Sequence, residues 1–165
     1  MAKITLNKQF LQDSLGVIKQ RGLKGLLLGH QAELNAADKE LIASAAETYN
    51  QTKMQGSKKG SLIRVDAIHK GSGDVYLLPG QNGKVILVCS ADTRVTNGPD
   101  LWVYLSTSDN PKKSLGTINN LGLIKGTKGG QIYELKATND ELKTYRSVII
   151  YCKQFEVLFS YAILK

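Results

Sequence analysis

Few side chains in this sequence could do chemistry, and they are spread widely. Cys89 and Cys152 are the only thiols, and His30 and His69 the only imidazoles. Their positions match no zinc or haem-attachment spacing, so a Cys2His2 site has no support in the pattern. A Ser/His/Asp set cannot be assembled convincingly from two histidines, one of which, His30, falls in a stretch that reads as helical. "GLIKGTKGG" (122–130) is glycine-rich and basic, but it lacks the Gly-Lys-Ser/Thr ending of a phosphate loop and precedes a strand. What remains is thiol chemistry, which requires thiolate character and access. Cys152 has three readings: a reactive thiol displayed at a bend, a packed core thiol, or one half of a disulfide with Cys89.

The segment that carries it, "VIIYCKQFEVLF" (148–159), changes phase. Val148, Ile150 and Cys152 alternate on one face, whereas Phe155, Val157 and Phe159 alternate in the opposite register. A tight turn at Lys153–Gln154 would place Cys152 opposite Phe155, Ile150 opposite Val157 and Val148 opposite Phe159. A bulge at Cys152–Lys153 in a continuing strand would give the same shift, and Lys-Gln is a poor two-residue turn. In a regular strand Lys153 would point away from the thiol, and only such an irregularity could bring its ammonium round.

The elements that must position this segment are mostly β. "SLIRVDAI", "DVYLLP", "KVILVCS", "LWVYLS", "LGLIK" and "QIYEL" are short apolar runs separated by Gly, Asn and Pro, the pattern of an antiparallel sandwich or barrel. Pro79, Pro99 and Pro111 fall at strand ends or in loops. Residues 1–56 read instead as a helical arm or hairpin. "NKQFLQDSLGVIKQ" has helical spacing, and a second helix starts at the cap Asn35, with Ala37, Leu41, Ala45 and Thr48 forming a narrow stripe. "MQGSKKGS" reads as linker, with 57–60 separating the arm from a β domain over 61–165. Trp102 and Tyr104 share a strand face and Tyr133 lies in another strand, which suits core packing or an aromatic lining for a flat cofactor.

Composition narrows the function classes. Hydrophobic residues make up 42% and charged residues 22%, as in a folded domain. The net charge of +8 is spread along the chain without a dense basic run, which argues against nucleic acid as partner. No stretch has the length of a membrane span, and the first twenty residues lack the apolar region of a signal peptide.

Two stretches, "NGPDLWVYLS" (97–106) and "SVIIYCKQFEVLFSYAIL" (147–164), carry a resemblance when taken with "HKGSGDVYLLPGQNGKVILV" (69–88) and "LGLIKGTKGGQIYEL" (121–135). In this order they resemble the DM-thirteen domain, a family labelled electron-transfer type, over about residues 61–165. The resemblance implies an antiparallel β-sandwich over that span; with the helical segment 1–56, which lies outside the match, the chain is expected to be mainly β with an N-terminal helical part. The resemblance also implies a setting that in bacteria is exported or membrane-tethered, and in animals lies beside cytochrome-type redox domains. The family's hallmark cysteine maps onto Cys152, with Lys153 and Phe155 beside it. Its other signature block maps onto Gly98, Pro99 and Asp100. Asp100 reads as a carboxylate near the thiol, a cation ligand, or a turn residue bonding neighbouring amides. Cys89 has no counterpart in the family, and Ser160 stands where a glycine is common. The expectation is a redox or electron-transfer accessory module rather than an enzyme, with haem among the cofactors it allows and a redox or envelope protein as partner. The rival expectation is a protein-interaction module in which Cys152 is structural.

Overall fold

The computed structural model describes residues 29–165. Eleven strands are present among them: β1 Lys58–Ser61, β2 Ile63–Arg64, β3 Gly71–Ser72, β4 Asp74–Pro79, β5 Lys84–Cys89, β6 Arg94–Val95, β7 Leu101–Ser106, β8 Ile118–Leu123, β9 Gln131–Lys136, β10 Ser147–Cys152 and β11 Val157–Ile163. Helix α1 spans Ala36–Thr52 and a short helix, α2, spans Asn139–Thr144. The strands form a four-stranded sheet in the order β1-β4-β5-β9, a five-stranded sheet β2-β11-β10-β7-β8 and a two-stranded ribbon β3-β6. Pairing within all three is antiparallel. The fold is a sandwich, one of the two architectures the strand pattern allowed and the one the resemblance implied.

The layering explains why some strands read as unbroken apolar runs. In β5, Val85, Leu87 and Cys89 face the other sheet, and Ile86 and Val88 face outward under α1. In β10, Val148, Ile150 and Cys152 enter the same inter-sheet core. Ile149 packs on the opposite face with Tyr104 and Tyr161. A strand buried on both faces loses its alternation.

Helix α1 is started by a complete capping box: the Asn35 side chain accepts from the Asp38 N–H at 2.8 Å, and the Asp38 carboxylate accepts from the Asn35 N–H. The helix lies on the four-stranded sheet through Ile42, Ala45 and Tyr49. The expected stripe shares only Ala45 with this face, and Leu41 is 39% exposed. Turning the helix by about one residue buries Ile42 and Tyr49 in place of Leu41 and Thr48, and the tyrosine ring removes more apolar area from water than the threonine would. His30 is not helical; its Nε2 lies 2.9 Å from the Lys125 carbonyl oxygen. The earlier stretch "NKQFLQDSLGVIKQ" lies outside the described residues.

Three further expectations are corrected. Residues 58–60 are not linker but belong to edge strand β1, and Ser57 is buried. Lys59 exchanges backbone hydrogen bonds with Lys165 at 3.0 and 2.9 Å, so this edge is stitched to the chain after β11. The run "SLIRVDAI" is not one strand: it splits at Leu62 between β1 and β2, which belong to different sheets, and β2 ends before Asp66, whose carboxylate accepts from the Ile68 and His69 N–H groups and from the His69 ring. The β10–β11 turn has four residues, not two: Cys152 pairs with Val157, Val148 pairs with Ala162, and Phe159 is the extra residue between the Ile150–Ser160 and Tyr151–Leu158 pairs. Two- and four-residue turns shift the phase identically, so alternation alone does not separate them.

The Asp66 turn has a pH consequence. Hydrogen bonding from the His69 side chain, helped by the His69 and Ile68 amides, lowers the Asp66 carboxyl from its ordinary 3.8 to about 2. A depressed folded-state value adds stability above the ordinary value and loses it as pH falls through the folded one. Thermal melts of the wild type and Asp66→Asn are expected to differ at pH 5 and to converge as the pH approaches 2.

Candidate functional site

Cys152 is the last residue of β10, paired with Leu101 of β7 on one side and Val157 of β11 on the other. It has no exposed surface. Its sulfur accepts from the backbone N–H groups of Phe155 and Gln154, in the turn, and of Asp100, just before β7. The Lys153 N–H donates to the Asp100 carbonyl at 3.0 Å and fastens the turn to the start of β7. Burial pushes the Cys152 thiol up; the three amides pull it back, and the Asp100 charge adds to the rise. The net direction is upward, toward the protonated thiol.

Asp100 is itself 4% exposed, and its Oδ1 accepts from the Trp102 indole N–H at 2.7 Å. The Trp102 ring is half-buried, with the Lys153 ammonium 5.0 Å from its centre. The chain from sulfur through Asp100 to Trp102 therefore runs from the core to the surface within one corner of the sandwich. Asp100 and Trp102 are two residues apart at the start of one strand, a spacing that puts both on one side. That spacing was a signal in the sequence for Trp102, which packing alone had accounted for. The Gln154 amide carried no such signal, because its role depends on the turn conformation.

Gly98 and Pro99 lead into this corner. A Cβ at Gly98 would lie 2.8 Å from two ring carbons of Phe159 and 3.0 Å from Leu101 Cδ2. The Phe159 ring also packs against His69, with centroids 4.6 Å apart. Gly98→Ala is expected to cost about 1–2 kcal/mol through overpacking, measured by denaturant unfolding. Ser160, buried behind it, donates its hydroxyl to the Ile63 carbonyl at 2.8 Å and so ties β11 to β2.

The remaining candidates lie apart. Cys89 faces the same inter-sheet core, but both cysteines are free thiols and no disulfide joins them. Burial pushes Cys89 up to about 12. Trp102 and Tyr104 pack on the outer face of the five-stranded sheet, whereas Tyr133 lies between the sheets, so the three form no common lining. Among the described residues no three His, Cys, Asp or Glu side chains gather as a metal site. A haem ligated through Cys152 does not fit, because the sulfur is enclosed by packed side chains and backbone.

A family model described as "Electron transfer DM13" matches residues 61–164. The chain belongs to the DM13 family. The match begins at Ser61, the last residue of β1, so the DM13 sandwich here is completed by residues that precede the matched span. No curated protein matches the sequence. Among solved structures, a glutamate-to-glutamine mutant of Candida albicans superoxide dismutase 5 is similar at 12% identity and a TM-score of 0.49, covering 66% of this chain and 90% of that one. An aspartate-to-asparagine mutant of the same enzyme gives 13% and 0.48 with the same coverage. Its copper(II) form gives 12% and 0.46, again covering 66% and 90%. Likeness at this level bears on neither chemistry nor metal binding. In this DM13 chain, Cys152, Lys153, Phe155, Gly98, Pro99 and Asp100 all fall at the corner where β10 turns into β11 beside the start of β7. Among the described residues no helix is long and apolar enough to cross a membrane.

Proposed function

We propose that this DM13 chain is an accessory electron-transfer module in which Cys152 gives up one electron without leaving the core. The carrying observation is the sulfur's setting: no exposed surface, three backbone N–H donors, and the Asp100–Trp102 connection outward. A thiol that is buried and held protonated is a poor nucleophile, which disfavours direct attack on a bulky disulfide or peroxide. Electron transfer does not require contact with solvent. In the step, the S–H bond of Cys152 breaks, the proton is released to solvent, and the electron leaves through Trp102 to a one-electron acceptor held by a partner protein. Return of one electron and the proton restores the thiol. The partner is a redox or envelope protein, in an exported or membrane-tethered setting, and the module itself turns over no substrate.

The test is consumption of a one-electron oxidant such as hexachloroiridate(IV) by the wild type, Cys152→Ser and Cys89→Ser. One fast equivalent present in the wild type and Cys89→Ser, and missing from Cys152→Ser, supports the proposal; identical traces for all three contradict it.

The second reading, an interaction module with Cys152 as packing, is favoured by the same burial. Both readings expect native-state labelling to be slow at both thiols and to become complete in denaturant without added reductant, measured by mass spectrometry. The oxidant assay separates them.

A further inference from the structure

The β3–β6 ribbon presents side chains that the redox reading does not use. Gly71 pairs with Val95 and Ser72 with Arg94. The ribbon extends by one residue, because the Thr96 N–H donates to the Lys70 carbonyl at 2.8 Å and the Lys70 N–H to the Thr96 hydroxyl at 2.9 Å. Opposed residues of an antiparallel pair point the same way, and residues two apart share a face. Lys70, Ser72, Arg94 and Thr96 therefore project together, and Val95 turns into the inter-sheet core. Arg64, from β2, brings a third cation to the same rim. These residues border a groove of about 440 Å³.

Arg64, Lys70 and Arg94 are all exposed, and among the described residues none of them forms an ion pair. Asp66, in the same segment, is engaged by His69. Three like charges around one groove repel one another, and an anion seated between them relieves that repulsion. Two guanidinium forks match the geometry of a tetrahedral oxyanion, with the ammonium and a serine hydroxyl as further donors. No aromatic side chain lines the groove, so it lacks the stacking platform of a single-stranded nucleic-acid site.

We infer that the groove between β2 and the β3–β6 ribbon binds a doubly charged oxyanion, the phosphate or sulfate group of a ligand, with Arg64 and Arg94 as its clamps. The groove exceeds the size of a bare oxyanion, which leaves room for the group that carries it.

The experiment is an amide chemical-shift titration of the whole chain with inorganic phosphate at constant ionic strength. Saturable shifts at Gly71, Ser72, Arg94 and Val95 are expected, with affinity about tenfold weaker in Arg94→Gln or Arg64→Gln. Both side chains are exposed, so the variants are expected to keep the wild-type melting temperature. Shifts that never saturate, or an affinity unchanged in the Arg64→Gln/Arg94→Gln double variant, would overturn the inference. Sedimentation with phosphatidylcholine vesicles, with and without phosphatidic acid, identifies the source of the group. Sedimentation that needs both phosphatidic acid and Arg94 supports a lipid headgroup, and phosphate saturation without sedimentation supports a soluble ligand.

Discussion

Replacing Cys152 by alanine is expected to lower stability by about 3 kcal/mol, more than serine at the same position or alanine at Cys89. The three losses differ in kind. Cys152→Ala removes the acceptor for the Phe155, Gln154 and Asp100 amides in a site with no solvent exposure. Buried donors left without an acceptor lose the full cost of their desolvation, about 1–3 kcal/mol each before relaxation, and the turn that carries two of them can relax. Serine keeps an acceptor, though closer to the backbone, and is expected to lose about 1–2 kcal/mol. Cys89→Ala loses packing in the same core and is expected to cost about 1–2 kcal/mol. Urea unfolding of the three variants ranks them. Equal losses at Cys152→Ala and Cys89→Ala would mean that the amides contribute nothing to holding the sulfur.

Gly60→Ala is the other large effect, at about 3 kcal/mol, the upper end for overpacking. A Cβ at Gly60 would press into the Ile163 carbonyl, 3.0 Å from its carbon and 3.3 Å from Ala162 Cβ. The obstacle is backbone, which has no rotamer to yield. The expected result is a lower melting temperature with faster hydrogen exchange at the Lys59 and Lys165 amides, which bridge β1 to the chain end. A variant with wild-type stability and unchanged exchange would show that β1 does not close this edge.

Gly60 also shows where composition misleads. "GSKKGS" has the makeup of a flexible connector, yet its glycine serves close approach of two backbones, which depends on a strand far away in sequence. The legible strands were those buried on one or both faces, such as "KVILVC" and "LWVYLS", whose apolar content follows from their layer. Helix α2 was not read, although Thr138 and Glu141 form its capping box, because six residues are too few to show helical spacing. The phase change around Cys152 was legible as a fact and ambiguous in cause. A four-residue turn followed by a bulge at Phe159 satisfies the same alternation as the two-residue turn. The candidate site came largely through the signature blocks around Gly98 and Cys152. The sulfur's burial and its amide donors follow from a turn conformation, with Glu156 at φ 53°, that no pattern of residue types encodes.

The central claim is that Cys152 is the electron donor of this DM13 sandwich. Its most direct test is freeze-quench electron paramagnetic resonance after one-electron oxidation of the wild type, Cys152→Ser and Asp100→Asn. The account predicts a thiyl signal in the wild type that is missing from Cys152→Ser and forms more slowly in Asp100→Asn, where the negative charge beside Trp102 is lost. Signals from tyrosine and tryptophan alone, identical in the wild type and Cys152→Ser, would contradict it.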